Sequence, residues 1–343
     1  MTAAENSYVG LAPQSAKGVP NTTDGDFRYF MFNEGSMSPN NVYLPADDGV
    51  GGGALLSTVA KVGVTSAGAF ASIPRPAVVG DFLLGALGNV ADPVADGTGW
   101  KHVFTLGADQ FAAPYWTLRE NVGDLWGEQF QDIRLSAFML NWRAADYIRS
   151  QQVFTGGLPT PDQTTTTWGE AAAVDRGAEF LAPVTAITWP DETPKVLSGQ
   201  IAMGMAIPLD EQWVTGSYQP DDFDIVSRAF SVTMTMKLID QDLYEKMAYD
   251  PAQGGTWLAD IFKEGGVTIQ FDATQEYDTG KPYRIKVIFD AANDNVAWSI
   301  TPIALRAGRQ ILMTVTGTVL ASAAEPIQVE LYNDVSAKYG TVT

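Results

Sequence analysis

The sequence contains no cysteine and a single histidine. Without cysteine there are no disulfides and no thiolate zinc sites. A Ser–His–Asp arrangement would have to use His102, and no G-x-S-x-G elbow supplies a nucleophile for it. His102 lies in WKHVFTL, a strand-like segment, and reads as structural. No apolar run approaches the ~18 residues that a membrane helix needs. The start, MTAAENSYVG, has neither the basic residues nor the apolar stretch of a secretory signal, so synthesis in a cytoplasm is expected.

Positive charge is also scarce. Lys and Arg number 21 against 40 Asp and Glu, a formal charge of −19. That balance argues against tight nucleic-acid binding, which relies on basic patches. It is compatible with solubility, and with a surface that DNA slides past. The glycine run Gly49-Val50-Gly51-Gly52-Gly53 is not followed by Gly-Lys-Ser/Thr, so it is no P-loop. The acidic cluster Asp221, Asp222 and Asp224 lacks the loop glycine and the twelfth-position Glu of an EF-hand, and it reads as a solvated loop. Asp290–Asn295 lies between two strand patterns and suits a turn. No cofactor, metal or catalytic motif is present, and an enzyme is not expected.

What the chain does have is apolar material: 45% hydrophobic residues and 9 Trp over 343 residues, enough for about two packed domains. Most of it alternates with period two. In Arg228–Leu238, Phe230, Val232, Met234, Met236 and Leu238 share one face, the pattern of a half-buried antiparallel strand. Tyr283–Phe289 and Trp116–Arg119 alternate likewise. Trp116, Trp142 and Trp298 fall in the apolar register and are expected in the core. Two short helices are expected. One is Pro76–Leu87, with Pro76 in the first turn and Gly88 beyond the end. The other is Asp240–Tyr249, with Asp240 as N-cap and Pro251 as a stop. A further helical turn is expected at Trp257–Phe262.

The order of elements repeats: strand, long loop, strand, helix, then four strands. Arg143–Ala144 recurs as Arg306–Ala307, 163 residues on, and Thr155–Gly156 as Thr316–Gly317, 161 residues on. The difference of two is even and keeps every side chain on its face. In the first strand of each final hairpin the apolar phase switches midway, from Ile133, Leu135 and Ala137 to Phe138, Leu140 and Trp142, as a β-bulge requires. The expected architecture is mainly β: an N-terminal arm (1–23), a first antiparallel β-sandwich domain (24–157), a linker or insert (158–195) and a second sandwich domain with a C-terminal tail (196–343), each domain with a short flanking helix.

Two loops, Asn33–Leu56 and Pro208–Val226, are long for a compact domain, where connections run about 4–6 residues. They occupy the same slot in each repeat. They carry isolated aromatics, Tyr43 in the first and Trp213, Tyr218 and Phe223 in the second, which are poor loop residues in water and good interface anchors. Trp213 is the best candidate for an exposed contact.

The opening SYVGLAPQSAKGVPN followed by FRYFMFNEGSMSPNN, the stretch Gly63–Leu87 leading through prolines to VVGDFLLGALG, and HVFTL…PYWTLREN…FQDIRLSAFMLNWRAADYIRSQQVFTGG resemble phage tail tube proteins, the major tail proteins of long non-contractile tails. The resemblance covers most of the chain. It implies a β-sandwich subunit, made in the host cytoplasm, that forms rings stacked into a hollow tube within the virion tail. It further implies the tape-measure protein and then DNA in the lumen, and tail tip and tail terminator proteins at the ends. With two tube-type domains per chain, a trimer completes a pseudo-hexameric ring; a hexamer is the alternative. The two long loops would then make the inter-ring contacts through Tyr43, Trp213, Tyr218 and Phe223, with Asp221, Asp222 and Asp224 needing a basic or amide-rich partner on the next ring. A competing expectation is a virion-surface or receptor-binding β-sandwich that recognises a carbohydrate.

Overall fold

The computed structural model of the chain describes residues 7–45, 59–107, 113–123, 126–162, 168, 177–190, 192–238, 242–250, 256–257, 262–289, 296–301, 311–321 and 325–342. Asp240, Pro251, the Gly49–Gly53 run, Asp290–Asn295 and Arg306–Ala307 lie outside them.

The chain is mainly β and of the sandwich class, with two large antiparallel sheets. It begins with β1 (Tyr8–Pro13) and β2 (Arg28–Phe30), which pair antiparallel. Next come the long strands β3 (Glu34–Pro45) and β4 (Val59–Ser72), then α1 (Val79–Leu87). Gly88 ends this helix at φ 87°, in the left-handed region that favours glycine, and its N–H donates to the Leu84 carbonyl. Every residue of α1 is buried. β5 (Gly88–Val90), β6 (Val94–Asp96) and β7 (Gly99–Leu106) follow, then β8 (Trp116–Val122), β9 (Trp126–Arg143), β10 (Arg149–Gly156) and β11 (Pro159–Asp162). The second half contributes β12 (Ala186–Thr188), β13 (Lys195–Ala206), β14 (Ser227–Lys237), α2 (Asp242–Ala248), β15 (Tyr249–Asp250), β16 (Thr256–Trp257) and β17 (Phe262–Lys263). It ends with β18 (Thr268–Asp278), β19 (Lys281–Phe289), β20 (Val296–Ile300), β21 (Leu312–Val319) and β22 (Ile327–Asn333).

The larger sheet runs β17-β20-β21-β14-β13-β9-β10-β4-β3, with β1, β2, β8 and β11 attached beside β9. Its order contains one block twice. β9-β10-β4-β3 from the first half is matched by β20-β21-β14-β13 from the second, and the two blocks join where β13 pairs with β9. The smaller sheet runs β12-β18-β19-β22-β7-β5 and crosses between halves where β22 pairs with β7. Both sheets therefore contain strands of both halves, and one contiguous apolar cluster runs through them. Trp142 of the larger sheet meets Phe271 of the smaller at 5.4 Å between ring centroids. α1 drives Phe82 among Phe30, Phe138 and Phe154, with centroids 5.3–6.4 Å apart.

The phase switch in β9 is a bulge. Val153 pairs with Ala137 and Phe154 with Leu135, which leaves Ser136 as the extra residue. Ile133 and Leu135 are buried before it, and Phe138, Leu140 and Trp142 after it. Trp116 and Trp298 are buried as their register requires.

Several expectations fail. Tyr8–Pro13, assigned to an N-terminal arm, is a wholly buried strand between β2 and β8. The expected loop Asn33–Leu56 is strand from Glu34 to Pro45, laddered to β4 throughout. Of the two readings of 158–195, linker or insert, the described part has the character of an insert: it supplies β11 to β9 and β12 to β18, and buries Trp168 and Trp189. Trp257 and Phe262, the ends of the expected helical turn, are in strands, and the residues between them lie outside the described residues. The two halves also differ: β7 and β8 sit in different sheets, whereas β18 and β19 pair directly.

Candidate functional site

The segment 208–226 starts from a single 3-10 turn at Leu209–Glu211 and folds back on itself. Trp213 bridges Pro220, and the Asp221 amide donates to the Gln212 carbonyl at 2.7 Å. The segment is fastened to β4. The Val64 amide donates to the Tyr218 carbonyl at 2.8 Å, and the Trp213 ring fills the space above Gly63. Trp213 is thus half-buried against its own chain, not an exposed contact. Phe223, expected as an interface anchor, is buried in the subunit, with Ile225 beside it in sequence also buried. Tyr218 remains 67% exposed.

The acidic residues also find partners within the chain. Asp222 accepts from the Tyr115 hydroxyl and from the Phe223 amide at 2.8 Å, and lies 3.4 Å from the Lys17 ammonium. Asp224 lies 3.8 Å from Arg134, whose guanidinium covers the Tyr115 ring at 3.8 Å. Burial raises the Asp222 carboxyl, but the Tyr115 hydroxyl, the Phe223 amide and Lys17 outweigh it, and the group is held below the ordinary carboxylate range. Burial and the Asp222 charge raise Asp224 against the pull of Arg134. Burial pushes the Tyr115 phenol up to about 12. A basic partner from another subunit is therefore not needed by Asp222 or Asp224; Asp221 is exposed. The cluster is a clamp that ties the second half of the chain to β9 and to the segment preceding β8.

On the other side of Trp213 the structure is open. Val42, Leu44, Val62, Gly63, Trp213 and Val214 line a groove of about 470 Å³. Around it Val42, Tyr43, Leu44, Val59, Val214 and Tyr218 are exposed. Of the residues expected to make contacts, Tyr43 and Tyr218 are exposed, and neither lines the groove. Val42 and Leu44 on the edge strand β3, Val59 at the start of β4 and Val214 in the 208–226 segment were missed, because a singly exposed apolar residue has no periodic pattern to reveal it.

β3 has the least support of any long strand. It pairs with β4 on one side and, among the described residues, with no strand on the other. Of its twelve residues only Met37 is buried. The strand in the matching place of the other block, β13, is laddered on both sides, to β14 and to β9. His102, the lone histidine, is buried on β7 with Nε2 2.9 Å from the Val335 carbonyl oxygen, and burial lowers its pKa. No helix among the described residues is long and apolar enough to cross a membrane. No protein-family model and no curated protein matches the sequence.

Proposed function

We propose that this chain is a structural subunit that works by self-assembly, and that the assembly is the tube of a long phage tail. The observation that carries the reading is the difference between β3 and β13. In the block β20-β21-β14-β13, the end strand β13 is completed by β9 of the preceding block. In the block β9-β10-β4-β3, the end strand β3 has no such partner among the described residues. An open, long edge strand is a template for pairing, which soluble monomers normally blunt with charge or cover. From Ser36 to Pro45, β3 carries no Lys, Arg, Asp or Glu, and its blunting is limited to Pro39, Pro45 and the register shift at Val42/Tyr43.

The joint between the blocks is head-to-tail: β13, the end strand of one block, meets β9, the first strand of the other, and repeating it between copies would set β3 beside β20, whose outer edge carries the two-residue strand β17. A repeated head-to-tail joint closes into a ring where its rotation permits, and gives an open polymer otherwise. A ring of three chains would hold six blocks, stacked rings would form the conduit, and the tape-measure protein and DNA would occupy the lumen. The charge of −19 keeps free subunits apart in solution and would keep a lumen from holding phosphate.

The test is sedimentation velocity across a concentration series, followed by negative-stain microscopy with ring averaging. The expected result is rings with threefold or pseudo-sixfold symmetry, and tubes at high concentration. A chain that stays monomeric at all concentrations and salts, and that binds glycans on an array, would replace this reading with carbohydrate recognition.

A further inference from the structure

Apart from its ladder to β4, β3 is held at Met37. The Met37 side chain enters the core, and its amide donates to Oε2 of Glu120 on β8 at 2.8 Å. Glu120 is 4% exposed. It lies opposite Val9 of β1 on one side and Glu128 of β9 on the other. β1 brings no charge to that register position and β9 brings a second carboxylate. Its sequence neighbour Arg119 is occupied elsewhere, with Asp24 and Gln129.

We propose that Glu120 is a proton-controlled pin for the open strand β3: neutral, it stays buried and holds the Met37 amide; ionised, it is driven toward water and loosens the first half of the strand. The geometry supplies both halves of the switch. Among the described residues Glu120 has no cationic partner, and a buried carboxylate without one is costly; like charges at directly opposed strand positions also repel. A neutral carboxyl still accepts the amide through its carbonyl oxygen and escapes both penalties.

Burial, and then the Glu128 charge, raise Glu120 to about 7 against the opposing effect of the Met37 amide. The pinned form therefore holds its proton more tightly than the released form, whose carboxyl titrates in the ordinary range. Pinning is strongest at low pH and is lost as pH rises to about 7, above which it levels off. Among the described residues burial also raises Asp81, to about 6, so it completes its titration in the lower part of the pH 6–8 range, but it lies on α1 with Arg28 and not at Met37.

The test is amide hydrogen exchange of the full chain, kept dilute, between pH 6 and pH 8, with intrinsic rates divided out. Protection at Met37 and its β3 neighbours is expected to fall roughly tenfold across that range. In Glu120→Gln, an isosteric acceptor that cannot ionise, it should stay flat. Protection that is flat in the parent, or that falls equally in the variant, overturns the pin. Should the variant not fold, the parent's Glu120 carboxyl carbon is followed by NMR: titration near pH 7 supports the pin and titration near 4.5 overturns it.

The link to assembly rests on the function proposed above. An ordered edge is the better template, so tubes should form faster at pH 6 than at pH 8. If protection follows pH while assembly does not, the pin stands and the pairing of copies along β3 fails.

Discussion

The ring of Trp213 occupies the space that a side chain at Gly63 would need: a Cβ there would lie 2.3 Å from Cη2 of the indole. Glycine in β4 is thus the seat on which the 208–226 segment rests. Gly63→Ala should displace the indole, because the nearest atoms belong to a large ring held by the Trp213–Pro220 bridge. Overpacking of this kind costs ~1–3 kcal/mol. The expected readout is a red-shifted tryptophan emission together with a lowered Tm. An unchanged spectrum would mean that the segment does not depend on this seat.

Trp298 is 2% exposed, lies 4.3 Å from the Trp189 ring and donates from Nε1 to the Glu264 carbonyl at 2.9 Å. Trp298→Ala should destabilise by ~3–5 kcal/mol, as expected when a buried aromatic leaves a cavity. Urea titration of parent and variant measures this directly, and coincident curves would contradict it. Trp189→Ala should show non-additivity with it, since the two rings are in contact.

How legible these features were in the sequence depended on how each residue is buried. Trp298, Val296 and Phe230 alternate with polar neighbours because one face of their strand meets the core, so period two revealed them. The Ser136 bulge was legible because it shifts that alternation by one. β1 was missed because YVGLAP is buried on both faces and leaves no alternation to read. β3 was missed for the opposite reason: apart from Met37 it is exposed on both faces, and SMSPNNVYLP has the composition of a loop. Phe223 was misassigned as an interface anchor because its burial is supplied by elements distant in sequence. The Glu120–Met37 contact joins a side chain to an amide 83 residues away, and no local pattern encodes it.

Asp81 on α1 is buried and accepts both of its contacts from Arg28 Nη1, at 2.7 and 2.9 Å; Arg28 in turn lies 4.6 Å above the Tyr339 ring. Burial raises Asp81 to about 6 despite the Arg28 charge. The folded carboxyl thus holds its proton more tightly than the unfolded one. Its contribution to stability is full at low pH and lost as pH rises from about 4 to about 6. Stability measured by urea across that range should fall by on the order of 2–3 kcal/mol on account of this group. Asp81→Asn should be less stable overall, because Arg28 loses its carboxylate, and its profile should fall less steeply by that amount, keeping only the slope that Glu120 supplies. A variant with the parent's slope would assign the titration to another group.

The assembly reading makes its sharpest demand on β3. Val42 and Leu44 are exposed in the free subunit, so replacing both by Lys should leave folding nearly untouched, within about 0.5 kcal/mol. Lysine on an edge strand is a device by which monomeric sheet proteins prevent pairing, since the incoming strand would have to desolvate the ammonium groups. The variant Val42→Lys/Leu44→Lys should therefore melt with the parent yet sediment as a monomer and form no rings. Charge alone predicts the reverse. Two added positive charges reduce the self-repulsion of a chain at −19 and should favour association. Val94→Lys/Val184→Lys separates the two effects: it makes the same charge change at exposed positions, one on β6 and one in the Ala182–Val184 turn, away from β3. It should assemble at least as readily as the parent. If the β3 variant instead assembles like the parent, while the control behaves as expected, copies do not join along β3.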